Sequence, residues 1–218
     1  MMGSPTSKLH TLLSYVEPAI TGSLPHIPND LWQGSAPLFQ QLLALLKHRN
    51  GFFAFEKALH LFPAPSASQR LEGYDIIDWN RPGLWKNAFP EEVQNLFCFA
   101  EDIFGCQWAL QQDHICKFNP ETCEIVRFAD DFETWAERIL QDARAETGWP
   151  LSQQWIRLHG DLPATCRLIP KTLFIFGGKF TVDNLFAVDA VEGMRFRGDI
   201  ARQIRDLPDG TKIKIILD

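Results

Sequence analysis

The stretch from Asn95 to Ala145, NLFCFAEDIFGCQWALQQDHICKFNPETCEIVRFADDFETWAERILQDARA, constrains the fold more than any other part of the sequence. It opens with an unbroken apolar run, Leu96 to Ala100, of strand length and ended by the acidic pair Glu101-Asp102. A short run apolar on both faces suits a central, doubly covered strand. After Gly105, Cys106, Trp108 and Leu110 alternate with Gln107, Ala109 and Gln111, the period of a strand with one face in the core. Ile115 to Phe118 and Cys123 to Phe128 flank Asn119-Pro120-Glu121-Thr122, where proline fixes φ at the second turn position. Parallel neighbours need a crossover of roughly a dozen residues, so strands joined this tightly are antiparallel. A helix follows, with Phe132, Trp135, Ala136, Ile139, Leu140 and Ala143 in one apolar stripe. Asp130 is placed to cap its start, with Glu133 three residues on as in a capping box, and Gly148 and Pro150 to stop it.

The flanks are read the same way. Leu9, Leu12, Leu13 and Val16 predict a short amphipathic helix, and a second helix runs from Pro37 to Asn50-Gly51. Ile20 to Pro37, rich in proline and glycine, is loop. Phe52 to Phe62 is ambiguous, and Glu56, Lys57, Ala58 and Leu59 tilt it toward helix. Tyr74 to Trp79 reads as a strand and Leu84 to Phe89 as a short helix. Beyond Gly148, Trp149 to Gly160 reads as a packed connector, Leu173 to Phe176 as an apolar run broken by Gly177-Gly178, and Asn184 to Val191 as β-leaning. Gly198 to Ile204 predicts a helix and Thr211 to Leu217 a strand with one wet face. The sum is an α+β fold, a mainly antiparallel five- or six-stranded sheet with helices packed on one side. Residues 1–148 form this core with its N-terminal helices, and residues 149–218 a strand–helix–strand extension packed on it.

Composition narrows the function classes. Seven Trp and seventeen Phe among 218 residues can fill a real core, which argues against disorder. A formal net charge of −6 argues against a general nucleic-acid binder, which needs clustered basic charge to displace counterions. The charge is uneven: Glu121 to Glu146 carries eight acidic residues against three Arg, and Arg195 to Lys214 six basic residues against three Asp. No apolar run reaches membrane-spanning length, and the N-terminal residues lack a signal-peptide layout, so a cytoplasmic location is expected. Cys98, Cys106, Cys116, Cys123 and Cys166 contain no C-x-x-C pair and lie in or beside apolar segments, as small hydrophobes do.

Chemistry leaves no local motif. No metal-ligand His spacing, nucleophile elbow or phosphate loop is present, and neither metal nor cofactor is expected. Glu101-Asp102 is the most site-like pair, yet neighbours in a strand point to opposite faces and form no two-carboxylate site. His60, on an apolar run, reads as a satisfied core histidine; His114 and His159-Gly160-Asp161 read as hairpin and loop residues.

FAED-x-FG at Phe99–Gly105, the following hairpin, and a helix opening F-x-x-W-A at Phe132 together resemble the SUKH superfamily. Asn50-Gly51-Phe52 with Ala58-Leu59-His60-Leu61-Phe62-Pro63, and Trp79-Asn80 with Leu84-Trp85, extend the resemblance over Leu38 to Leu140. That superfamily includes yeast cell-wall-assembly regulators and bacterial toxin-immunity proteins. The piece IPKTLFIFGGKFTVDNL is similar to the C-terminal portion of some type VI secretion immunity proteins. The resemblance implies a non-catalytic immunity protein that binds and neutralises a partner toxin. A regulatory interaction scaffold and a hydrolase with an unrecognised site are the alternatives. The expected partner is a protein, with no nucleic acid or membrane bound directly and the oligomeric state open. The acidic balance suits a basic toxin, and the expected binding face comprises Glu101, Asp102, Asp130, Asp131, Glu133 and Glu137.

Overall fold

The computed structural model describes residues 7–28, 31–65, 71 and 73–204. Six strands, β1 (Phe52–Ala54), β2 (Leu59–Leu61), β3 (Phe97–Asp102), β4 (Gln107–Gln111), β5 (His114–Phe118) and β6 (Ile125–Ala129), pair in chain order. Each is antiparallel to the next, as the short connections require. Phe99 is the extra residue of a bulge in β3, where the register with β4 shifts between Cys98 and Ala100.

The strand pleat sorts side chains onto two covered faces. Phe99 and Trp108 point to one side, where the helix α5 (Phe132–Gln141) packs Trp135 against both, with ring centroids 5.5 and 6.2 Å apart. The helices α1 (Lys8–Leu12) and α2 (Ala36–His48) pack on α5. The other face is covered by the short helix α3 (Ile76–Trp79), the 3-10 turn Lys86–Ala88 and the helix α4 (Glu91–Gln94). Trp79 stacks on Phe62 at 4.9 Å and Trp85 lies parallel to Phe118 at 6.4 Å.

After α5 come α6 (Ala143–Thr147) and α7 (Trp149–His159), then the antiparallel pair β7 (Cys166–Pro170) and β8 (Leu185–Asp189), and last α8 (Ala190–Ile204). β7 touches the main sheet through Leu168 N–H, which donates to Ile103 C=O at 2.9 Å.

Several expectations are corrected. Phe52 to Phe62 is a hairpin, not a helix. Phe55, Glu56 and Lys57 all take left-handed φ values of 54°, 48° and 63°, an uncommon run for residues with side chains. The turn is pinned from outside: Ser152 Oγ donates to Glu56 C=O, the Trp149 indole N–H to the Glu56 carboxylate, and Lys57 Nζ to Asp161 at 2.6 Å. Tertiary contacts from α7 outweigh the weak local helix propensity there. Tyr74 to Trp79 ends in a helix rather than a strand because Asp75 Oδ1 caps the N–H groups of Ile77 and Asp78, each at 2.8 Å. The cap of α5 is Asp131, which accepts from Thr134 N–H at 2.7 Å, and not Asp130.

Asp142 ends α5 and starts α6, while Gly148, at φ 74°, ends α6 and starts α7. The expected connector at Trp149 is therefore a helix, with Pro150 at a first-turn position that proline tolerates. Leu173 to Phe176 gives a 3-10 turn, and β7 replaces it as the strand. The expected strand at Thr211 to Leu217 lies outside the described residues.

Cys98 and Cys116 are buried and Cys106, Cys123 and Cys166 half-buried. Burial pushes the Cys98 thiol up to about 11, the Cys116 thiol up to about 12, and that of Cys106 well above its ordinary range. Because the thiolate is the reactive form, all three should resist labelling in native protein, and the fully buried Cys98 and Cys116 should react only at the rate of global unfolding. Maleimide labelling followed by mass spectrometry checks this; modification of any of the three within minutes in native buffer contradicts it.

Candidate functional site

The register across β1 to β5 aligns Phe53, His60, Glu101, Gln107 and Phe118 in one transverse row. Paired residues share a face, so the row faces the side covered by Trp79 and Trp85. Its centre is polar. Gln107 Nε2 donates to Glu101 Oε2 at 3.1 Å and to Gly105 C=O at 2.9 Å, and Gln107 Oε1 accepts from the Trp79 indole N–H at 2.7 Å. His60 Nδ1 stands 3.0 Å from Glu101 Oε1, and its ring stacks on Phe53 with centroids 4.4 Å apart.

Arg167 completes the row from above. β7 carries its guanidinium into the sheet, where one terminal nitrogen lies 2.5 Å from both Glu101 Oε1 and His60 Nδ1. Arg167 and Glu101 are each only 1% exposed. His60 Nδ1 serves one neighbour at a time, as a donor to Glu101 or as an acceptor from Arg167. Burial lowers the His60 pKa from 6.5 to about 4, so its contact with Glu101 at neutral pH is a hydrogen bond rather than an ion pair. For Glu101, burial raises the pKa, but Arg167 and the hydrogen bonds from His60 and Gln107 outweigh it and hold the carboxyl below its usual range.

A second arginine makes a parallel link. Arg197 of α8, also buried, donates through Nη1 to Phe104 C=O at 2.5 Å and through Nε to Gly193 C=O at 3.0 Å. A side chain at Gly105 would reach within 2.8 Å of this guanidinium, so glycine there, at φ 79°, serves both the turn and the close approach. Both arginines thus run from the segment after α7 to the β3–β4 hairpin. This polar seam is closed to solvent and acts as an internal clamp. Among the described residues no three His, Cys, Asp or Glu side chains are placed to hold a metal ion.

The six acidic residues expected on a binding face do not come together on one. Glu101 and Asp102 are buried and point to opposite faces of the sheet, Asp102 toward Lys117 at 3.9 Å. Neither is available to a partner, because strand β3 is covered on both sides. Glu133 and Glu137 do share one face of α5, but α1 lies against it. Glu133 accepts from Lys8 N–H at 2.8 Å and Leu9 N–H at 3.3 Å as well as from Ser7 Oγ, and Glu137 pairs with Lys8 at 3.6 Å. Asp131 is spent on its cap, and exposed Asp130 pairs with Arg127 at 2.7 Å.

A surface feature unmarked by charge stands out instead. Phe174 and Phe180 stack flat, with centroids 3.8 Å apart and planes at 9°, and Phe104 meets Phe174 edge-on at 5.4 Å. Phe180 is 65% exposed. Asn184 holds the loop beneath it: its Nδ2 donates to Thr172 C=O and Lys179 C=O, both at 3.0 Å, and its Oδ1 accepts from Thr172 N–H at 2.9 Å. The cue in the sequence was the phenylalanine-rich run around Gly177-Gly178, which reads first as a buried strand.

No protein-family profile and no curated protein matches the sequence. Among solved structures the chain is similar to Atu4351 from Agrobacterium tumefaciens, with a TM-score of 0.46 and 14% sequence identity, over 81% of this chain and 84% of that one.

Proposed function

We propose that this protein is an immunity-type protein that neutralises a partner toxin by binding it, with no bond-making step of its own. The observation that carries the reading is the Phe174–Phe180 ledge, an aromatic surface left uncovered on a loop that hydrogen bonds hold in place. A pre-ordered aromatic anchor loses little freedom on association, which is how a few residues come to dominate a protein interface. The ledge belongs to the same segment, Ile169 to Leu185, that resembles the C-terminal part of type VI immunity proteins. The SUKH-like pattern of the sheet and the net charge of −6, attractive at long range to a basic toxin, point the same way.

The experiment measures binding kinetics of purified protein against the toxin encoded beside its gene. Phe180→Ala should weaken binding at least about tenfold, the loss expected of an interface anchor. Its melting midpoint should be unchanged, since the ring is exposed. Absence of any complex with that toxin overturns the immunity reading; tight binding unaffected by Phe180→Ala removes the ledge from the interface.

A further inference from the structure

Lys86 is 2% exposed, yet its ammonium has no carboxylate within ion-pair distance among the described residues. Nζ donates to two neutral oxygens, Asn80 Oδ1 at 2.9 Å and Leu96 C=O at 2.5 Å. Asn80 has nothing further to give. Its Oδ1 also accepts from Cys98 N–H at 2.8 Å, and its Nδ2 is committed to Ile76 C=O and Cys98 C=O at 2.8 and 2.7 Å. An ammonium has three donors, so these two oxygens leave one N–H over; the Trp85 ring lies 5.9 Å from Nζ, and burial pulls the pKa below its ordinary value. Burying a charge without a counter-charge is costly, and the usual remedy is an anion nearby.

A cleft of about 390 Å³ opens at this place, with Lys86, Asn80 and Phe97 among its lining residues and Trp32 and Gln112 among the others. The volume falls in the range of small-molecule sites. Among the described residues Lys86 is the one charged residue in the lining. The Trp32 wall is built in place: a side chain at Gly34 would come within 2.2 Å of the Trp32 ring and 2.7 Å of Gln112 C=O, while Ser35 N–H donates to that carbonyl at 2.7 Å. Trp32 lies 6.1 Å from Phe97, so the cleft offers flat apolar surface beside its cation.

We infer that this cleft binds a small monocarboxylate carrying an apolar or aromatic body. Its carboxylate neutralises Lys86 and takes the remaining N–H, with its body against Trp32 and Phe97. A single cation matches a singly charged group. A phosphate dianion would bring an excess negative charge to a wall whose other described polar side chains are neutral.

The test is a titration of the full-length protein followed by 1H–15N NMR, with phenylacetate, its neutral analogue phenylacetamide, and inorganic phosphate as separate probes at constant ionic strength. The expected result is saturable shifts for phenylacetate at the Trp32 indole and the Gln112 side-chain amide, with affinity at least tenfold above that for phenylacetamide. Lys86→Met should abolish the preference between the two. Comparing the probes on unsubstituted protein decides the matter even where that variant fails to fold. No saturable shift at the cleft, equal affinity for acid and amide, or tighter binding of phosphate each overturns the proposal.

Discussion

Replacing Arg167 by alanine will lower the unfolding free energy by about 3–5 kcal/mol at neutral pH, the cost of breaking a buried ion pair by removing one member. The guanidinium is the only cation within 4 Å of Glu101 among the described residues apart from the ring of His60, which is neutral at that pH. Without it the carboxylate keeps its burial and loses its main compensation. The double variant Glu101→Gln/Arg167→Met should recover most of the loss, because an uncharged pair no longer demands neutralisation.

The pH dependence gives the same ion pair a second signature. In the folded protein Glu101 lies below its usual pKa, so its contribution is complete above about 4.3 and is lost as pH falls through the folded value. His60 is depressed as well, to about 4, and the unfolded chain takes up its proton first. Stability therefore falls between the ordinary pKa of 6.5 and that value. In Arg167→Ala the burial of Glu101 has less opposing it, and the carboxyl protonates at higher pH. The deficit of the variant should accordingly shrink as the solution is made acidic. Denaturant unfolding at pH 7 and pH 5 measures both quantities. A deficit below about 1 kcal/mol, the value of an exposed pair, or one independent of pH, would show that the seam is not held by this charge.

The sheet was legible because its information is local. Alternation in β4, the Asn119-Pro120 turn and the α5 stripe each lie within about one element's length, and the structure follows them. What escaped depends on contacts between distant segments. The hairpin at Phe55–Lys57 is held in a left-handed run by Trp149 and Ser152, almost a hundred positions away in sequence, and no local propensity reports that. Arg167 sits in Cys166–Pro170 between apolar neighbours. An arginine inside a short apolar strand does hint at a buried partner, but nothing near it names Glu101. The acidic face failed for a related reason. Helical spacing did place Glu133 and Glu137 together, while the helix that covers them, α1, begins 125 residues earlier than Glu133 at Lys8. The ledge was hidden by composition, since an apolar run reads as core whether or not anything covers it.

Trp135→Ala should destabilise the protein by about 3–5 kcal/mol, the range for a large aromatic side chain removed from a core. Trp135 is fully buried and meets Phe99, Trp108 and Phe132, the last at 5.9 Å, so its loss opens a cavity where α5 rests on the bulged part of β3. The surrounding rings are themselves packed and cannot close that space cheaply. Trp135→Phe separates two contributions, because the buried indole N–H of Trp135 has no hydrogen-bond partner among the described residues. Phenylalanine gives up part of the packing and also removes that unpaired donor, whose burial costs about 1–3 kcal/mol. It should therefore lose far less stability than alanine. Thermal and urea unfolding of the two variants check this. Equal losses would mean that packing volume alone sets the stability here, and an unchanged midpoint in Trp135→Ala would mean that α5 does not anchor the sheet.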